Sequence, residues 1–261
     1  MKNKLMGVGV STLALLTLPS QAVFTLLDDF ESYTAGTNAD GVGGWTATND
    51  TQFVADPSNA GNIVLAATRN ATDGTTSVFK TMPTIADATT GTVFFRARAS
   101  AQADFVLGTS DVANPTGNWN NFEGYMRFNS PTAVDPNNID VRNGSLGFAN
   151  VGTYTAAEWY NVWLVLDHTT DVTTIYINQG NGDATTAAGS GGFRATAQNT
   201  VHDDLINLFI RGNSVGNPGY VDDIYVDTTG ANLSNPAAIP EPATSLLALV
   251  GLAFGMHRRR S

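Results

Sequence analysis

The chain has 261 residues, 42% of them hydrophobic and 14% charged, with no cysteine and a formal net charge of −10. That composition excludes a disordered polyelectrolyte, a disulfide-stapled miniprotein and a cysteine-ligated metal domain. Lys2, Lys4 and Arg258 to Arg260 sit in the apolar-flanked termini and leave residues 23 to 239 with eight bases against 22 acids, a formal charge of −14; so acidic a body disfavours nonspecific nucleic-acid binding.

Residues 1 to 22 open with Lys2 and Lys4, run apolar from Leu5 to Leu18, break at Pro19 and finish Ser20-Gln21-Ala22. A basic start, a short apolar run and a small-x-small end make a secretory signal peptide, cleaved after Ala22. The run is too short, and too interrupted by glycine, for a membrane anchor or a buried core helix.

Through the body, period-2 or continuous apolar runs predict strands over residues 23–30, 62–68, 77–82, 92–99, 104–107, 122–128, 139–142, 159–167, 173–178, 205–211 and 220–227. No stretch sustains a 3.6-residue period. Turns are expected at Asp73-Gly74, Asn143-Gly144, Asn181-Gly182-Asp183 and the Gly189-Ser190-Gly191-Gly192 loop. The absence of a fixed repeat argues against a solenoid or propeller. Residues 23–229 therefore read as one β-sandwich domain, and residues 230–239 as a flexible stalk.

The chain ends with Pro240-Glu241-Pro242, an apolar stretch from Ala243 to Met256, and His257-Arg258-Arg259-Arg260-Ser261. The prolines stop preceding secondary structure and hold Glu241 extended. A helix over the apolar stretch would be roughly 21 Å long at about 1.5 Å per residue, short against a bilayer core of about 30 Å. The arginines stay cytoplasmic and stall translocation. This three-part order, over residues 240–261, resembles the PEP-CTERM sorting signal. The resemblance implies processing by an exosortase, transient retention at the inner membrane, and a surface or extracellular-matrix destination in a Gram-negative-type bacterium that makes exopolysaccharide.

Three passages of the body carry a second resemblance. Glu158 to Asp167, a Thr-rich turn and Thr174 to Asn178 are similar to the central hairpin of laminin-G-like domains in the concanavalin A-like superfamily. Gly219 to Val226 resembles their closing strand, and Leu27 to Tyr33 with Gly43-Gly44-Trp45 resembles how exported members begin. The implied fold is an all-β jelly-roll sandwich. An immunoglobulin-like sandwich, or a jelly roll of another carbohydrate module, is the rival.

Strand phase supplies the candidate ligand-binding residues. In four strands a buried aliphatic row opposes a row of aromatics with arginine or asparagine: Trp159, Asn161 and Trp163; Phe94, Arg96 and Arg98; Glu123, Tyr125 and Arg127; Asn207, Phe209 and Arg211. Side by side, such rows would stack on sugar rings and pair with uronate carboxylates, so the expected site is Trp163, Asn161, Tyr125, Arg127, Arg96, Arg98 and Arg211. Arg142 lies on or near the same strands. The bland alternative is a solvated sheet with arginines paired to aspartates.

Asp28 and Asp222 each fall in an otherwise apolar row, where a carboxylate must be paired, hydrogen-bonded or metal-bound. Asp222 matches the closing-strand aspartate that helps hold structural calcium in laminarinase-type relatives. The resemblance therefore implies a calcium site at Asp28 and Asp222, while a backbone-capping role fits them equally. Catalytic constellations are missing: no Glu-x-Asp-x-Glu run, nucleophile elbow, metalloprotease helix or nucleotide fingerprint occurs. The expected function is a non-catalytic, polysaccharide-binding or structural surface protein, with a glycan hydrolase or polysaccharide lyase of the same fold as the alternative.

Overall fold

A computed structural model describes residues 23–48, 51–69, 76–116, 118–130, 137–194 and 202–238. The expected signal peptide and the sorting-signal residues Pro240, Glu241, Pro242, Arg258, Arg259 and Arg260 lie outside the described residues. Fifteen strands among the described residues form two antiparallel sheets. Sheet A runs β13 (Ala187–Gly192), β12 (Val172–Asn178), β11 (Trp159–Asp167), β6 (Thr90–Ala99), β15 (Gly219–Asp227), β4 (Asn59–Ala67), β3 (Gln52–Asp56), with β1 (Thr25–Asp28) also paired to β15. Sheet B runs β10 (Phe148–Thr153), β9 (Asn138–Arg142), β8 (Tyr125–Asn129), β7 (Asp104–Ser110), β14 (Leu205–Gly212), β5 (Thr76–Ile85), β2 (Trp45–Ala47).

The core lies between the sheets and follows the period-2 phase. Val93, Phe95 and Ala97 of β6, with Val162, Leu164 and Leu166 of β11, share one buried cluster with Leu107, Met126, Phe128, Leu208 and Ile210 of sheet B. Removing each such side chain from water contributes about 1.5 to 3 kcal/mol, which is why alternating runs commit to one face.

Strand β13 occupies the segment expected to be a glycine loop. A Cβ at Gly191 would strike the Arg142 carbonyl, and one at Gly189 would strike the Val151 side chain. Glycine here lets the edge of sheet A close against β9 and β10 of sheet B.

The expected stalk is instead a strap across the outer face of sheet A, as far as the described residues extend. Asn232 Nδ2 donates to Asp227 Oδ2 at 2.8 Å, Ala184 N to the Leu233 carbonyl at 2.9 Å, and Asn235 N to Asp183 Oδ1 at 2.8 Å. Leu233 and Phe24 cover an aromatic row in which Tyr176, Trp163, Phe94 and Tyr225 are successive cross-strand neighbours. A row of four rings is too apolar to leave wet, and the strap gives it a second buried layer.

Candidate functional site

The expected ligand-binding residues divide between the two sheets. Arg96, Arg98, Asn161 and Trp163 lie on β6 and β11 of sheet A, whereas Tyr125, Arg127 and Arg211 lie on β8 and β14 of sheet B. Their outward phase is as expected, but the sandwich puts the two groups on opposite outer surfaces.

Trp163 is not a solvent-facing platform. It is 0% exposed, packs edge-on against Phe94 at 5.0 Å between centroids, and donates Nε1–H to the Ser234 carbonyl at 2.8 Å. Arg98 donates from Nε to the Ala157 carbonyl at 2.7 Å and lies over the Tyr220 ring. Asn161 and Arg96 pair directly across β11 and β6, and Asp222 follows on β15 in the same row.

The aspartates expected to bind calcium do not converge. Asp28 Oδ2 receives Lys80 Nζ at 2.7 Å, Tyr33 Oη at 2.8 Å and Trp45 Nε1 at 2.8 Å, while its Oδ1 receives the Phe30 amide at 2.9 Å. A carboxylate saturated by one cation and three neutral donors has no lone pairs left for a metal.

Asp222 stands at a bulge where Asp223 takes φ 49°, a left-handed conformation that aspartate tolerates better than most residues. The extra residue breaks the expected apolar row, because Val221, Ile224 and Val226 enter the core while Asp222 turns outward. Its Oδ2 accepts from Asn62 Nδ2 at 2.9 Å and lies 3.6 Å from Arg96. Among the described residues, no group of three or more His, Asp and Glu side chains could hold a metal ion.

Sheet B carries the concentrated constellation. Asn150, Asp140, Arg127, Val106, Arg211 and Ser77 are successive cross-strand neighbours from β10 to β5. In the adjacent row, Phe148 faces Arg142, Tyr125 faces Gly108, and Gly108 faces Phe209. A Cβ at Gly108 would collide with Tyr125, so glycine gives the tyrosine room over β7. Phe122 stacks on Phe209 at 4.0 Å and lies 5.0 Å from Tyr125, and Trp119 leans over both Phe122 and Tyr125.

Four of the body's eight bases surround that tyrosine. Arg194 Nη1 donates to Tyr125 Oη at 3.0 Å, and the Arg211 guanidinium lies 4.1 Å from the Trp119 ring centroid. Arg127 and Arg142 flank Phe148 at 5.0 and 5.7 Å. Arg127 also makes a two-pronged pair with Asp104 at 2.7 and 2.8 Å. Burial pushes Arg211 down to about 10, which leaves it cationic at neutral pH, and burial also lowers Arg142. Burial raises the Tyr125 phenol, against the opposing pull of Arg142 and Arg194.

Two contributors, Arg194 and Trp119, and one pairing, Glu123 with His202, escaped the sequence reading. Arg194 follows the glycine-rich segment taken for a loop, and Trp119 sits in a short 3-10 turn with no periodic signal. Glu123 and His202, 79 residues apart, are in hydrogen-bond contact beside the same face, where Arg194 N also donates to the Glu123 carbonyl. No local pattern announces such a pair.

No protein-family model matches the chain, and no curated protein matches it. Solved structures do resemble it. Peanut lectin with a 9mer peptide aligns at a TM-score of 0.50 and 13% identity, covering 78% of this chain and 96% of that one. The VIP36 exoplasmic/lumenal domain in its Ca2+/Man2-bound form gives 0.49 at 10% identity, with 76% and 86% covered. Lectin II from Ulex europaeus gives 0.46 at 12% identity, with 76% and 96% covered. At such identities the likeness is one of fold. The chain is an all-β sandwich of two antiparallel sheets with the concanavalin A-like arrangement seen in legume lectins.

Proposed function

We propose that this chain is an exported, non-catalytic surface protein that holds an acidic polysaccharide on the outer face of sheet B. The observation that carries the reading is the gathering of Arg142, Arg194 and Arg211 around Tyr125, beside Arg127 in its pair with Asp104, in a body of charge −14. Guanidinium groups pair with carboxylates in a two-pronged geometry, and half-buried rings beside them suit the C–H faces of sugars. The acidic remainder of the surface repels a polyuronate, so attraction is confined to this face and weakens with salt. Export and exosortase processing belong to the same reading, supported by the sequence patterns of residues 1–22 and 240–261.

Electrophoresis through gels containing polygalacturonate tests this. The protein should be retarded by the acidic polymer, released by added salt, and unaffected by neutral dextran. Equal migration with and without polygalacturonate would refute the site.

A second reading, a polysaccharide lyase, draws on the Glu123–His202 contact beside Tyr125. The buried, upward-shifted phenol speaks against it, because a proton-abstracting tyrosine needs a lowered pKa and access to substrate. A lyase would release unsaturated uronates from polygalacturonate, detectable by their ultraviolet absorbance; the binding reading expects none.

A further inference from the structure

The arginine face of sheet B carries carboxylates of its own. Asp104 is committed to Arg127 in the two-pronged pair, and Glu123 to His202. Asp140 is held differently. It lies directly across from Arg127 between β9 and β8, and the alternation that sends Ile139 and Val141 into the core turns Asp140 and Arg142 outward. Its Oδ2 accepts from Asn129 Nδ2 at 2.9 Å, and its Oδ1 lies 3.5 Å from Asn150 Nδ2. Both donors are neutral, and among the described residues no cation forms an ion pair with it.

Asp140 is only 5% exposed. A buried carboxylate held by neutral amides is costly when ionised, because no adjacent opposite charge offsets its lost hydration. The charged groups around it are few. Arg127 faces it from β8 with its guanidinium on Asp104 of β7, and Arg142 stands two residues along β9 with Nε on the Gly144 carbonyl. Strand β10 presents Phe148 and Asn150, neither of them charged. Burial raises the Asp140 carboxyl above the ordinary 3.8, against the lowering effects of Asn129, Arg127 and Asn150, and Asp104 adds to the rise.

We propose that Asp140 gates the acidic-glycan face by proton uptake: ionised, it opposes the field of Arg127 and Arg142, and protonated, it leaves that field to the polymer. The gate presupposes the polyuronate-binding reading of sheet B and adds its regulation. A bound polyanion and the Asp140 proton favour one another, since two sites coupled by charge must affect each other equally. Binding is therefore tighter in mildly acidic surroundings and weakens as the pH rises.

The dissociation constant of the full chain for polygalacturonate, measured from about pH 7 down to about pH 4 for wild type and Asp140→Asn, tests the gate. Asparagine nearly preserves the shape and removes the charge. The variant should bind about threefold or more tighter than wild type at neutral pH, an advantage that shrinks toward none as wild type takes up its proton. The polymer's own titration is common to both proteins and cancels in the ratio. Asp140→Thr, uncharged and suited to a strand, should give the same profile, with melting temperatures showing that each variant folds. A ratio near one at neutral pH, or a ratio unchanged by pH, with wild type still binding, would overturn the gate alone. No binding by wild type or variants at any pH would overturn the sheet B reading and the gate together.

Discussion

Trp163 and Tyr125 stand on opposite faces of the sandwich, each sealed by a different part of the chain. The Ser234 carbonyl holds the Trp163 indole under the C-terminal strap, and the Arg194 guanidinium caps the Tyr125 hydroxyl. Removing one ring tests the strap, and removing the other's partner tests the arginine face.

Trp163→Ala should unfold much of the domain. The ring is fully enclosed among Phe94, Ala184, Phe24 and Leu233, and deleting a buried tryptophan costs about 3 to 5 kcal/mol. Chemical denaturation measures this; a loss below 1 kcal/mol, on the order of a surface change, would mean that the strap does not cover the ring.

Asp28 should behave as half of an ion pair and not as a metal ligand. Lys80→Met leaves a carboxylate buried with only neutral donors, a loss of about 3 to 5 kcal/mol by analogy with other broken buried pairs. The loss should be equal in calcium and in chelator. A stability difference between wild type and variant that grows with calcium would restore Asp28 as a ligand.

The sandwich and the phase of its strands were legible because hydrophobic alternation reports which side chains point inward. Strand β11 occupies residues 159–167 as its apolar run predicts, and Val93, Phe95 and Ala97 enter the core. Alternation does not report which sheet a strand joins. Trp163 and Tyr125 share a phase, yet β11 pairs with β6 whereas β8 pairs with β7 and β9, and those partnerships arise from contacts distant in sequence. The bulge at Asp223 was equally hidden, since one inserted residue reverses a row without changing composition. Strand β13 was missed because its glycines are chosen for close approach between sheets, and they read locally as a turn.

Asp222 predicts a pH dependence. Burial, and then the neighbouring Asp223, push its carboxyl up to about 7 from an ordinary 3.8, against the lowering effects of Asn62 and Arg96. The folded chain keeps this proton where the unfolded chain has released it. The stability this contributes is therefore complete below about pH 4 and is lost as the pH rises through about 7. Asp222→Asn cannot ionise, so its melting temperature relative to wild type should climb steadily from acid to neutral pH. A constant offset across that range would show that Asp222 does not titrate there.

The acidic-glycan face is tested most directly at Arg194, which is half-buried and reaches both Tyr125 and Asn120. The decisive measurement is the dissociation constant of full-length Arg194→Gln for polygalacturonate, taken beside its melting temperature. A charged hydrogen bond contributes about 1.5 to 3 kcal/mol, so the account predicts a chain that still folds, with melting lowered by the lost Tyr125 and Asn120 contacts, and binding weakened about tenfold or more at a temperature where the variant is fully folded. Wild-type affinity in this variant would contradict it.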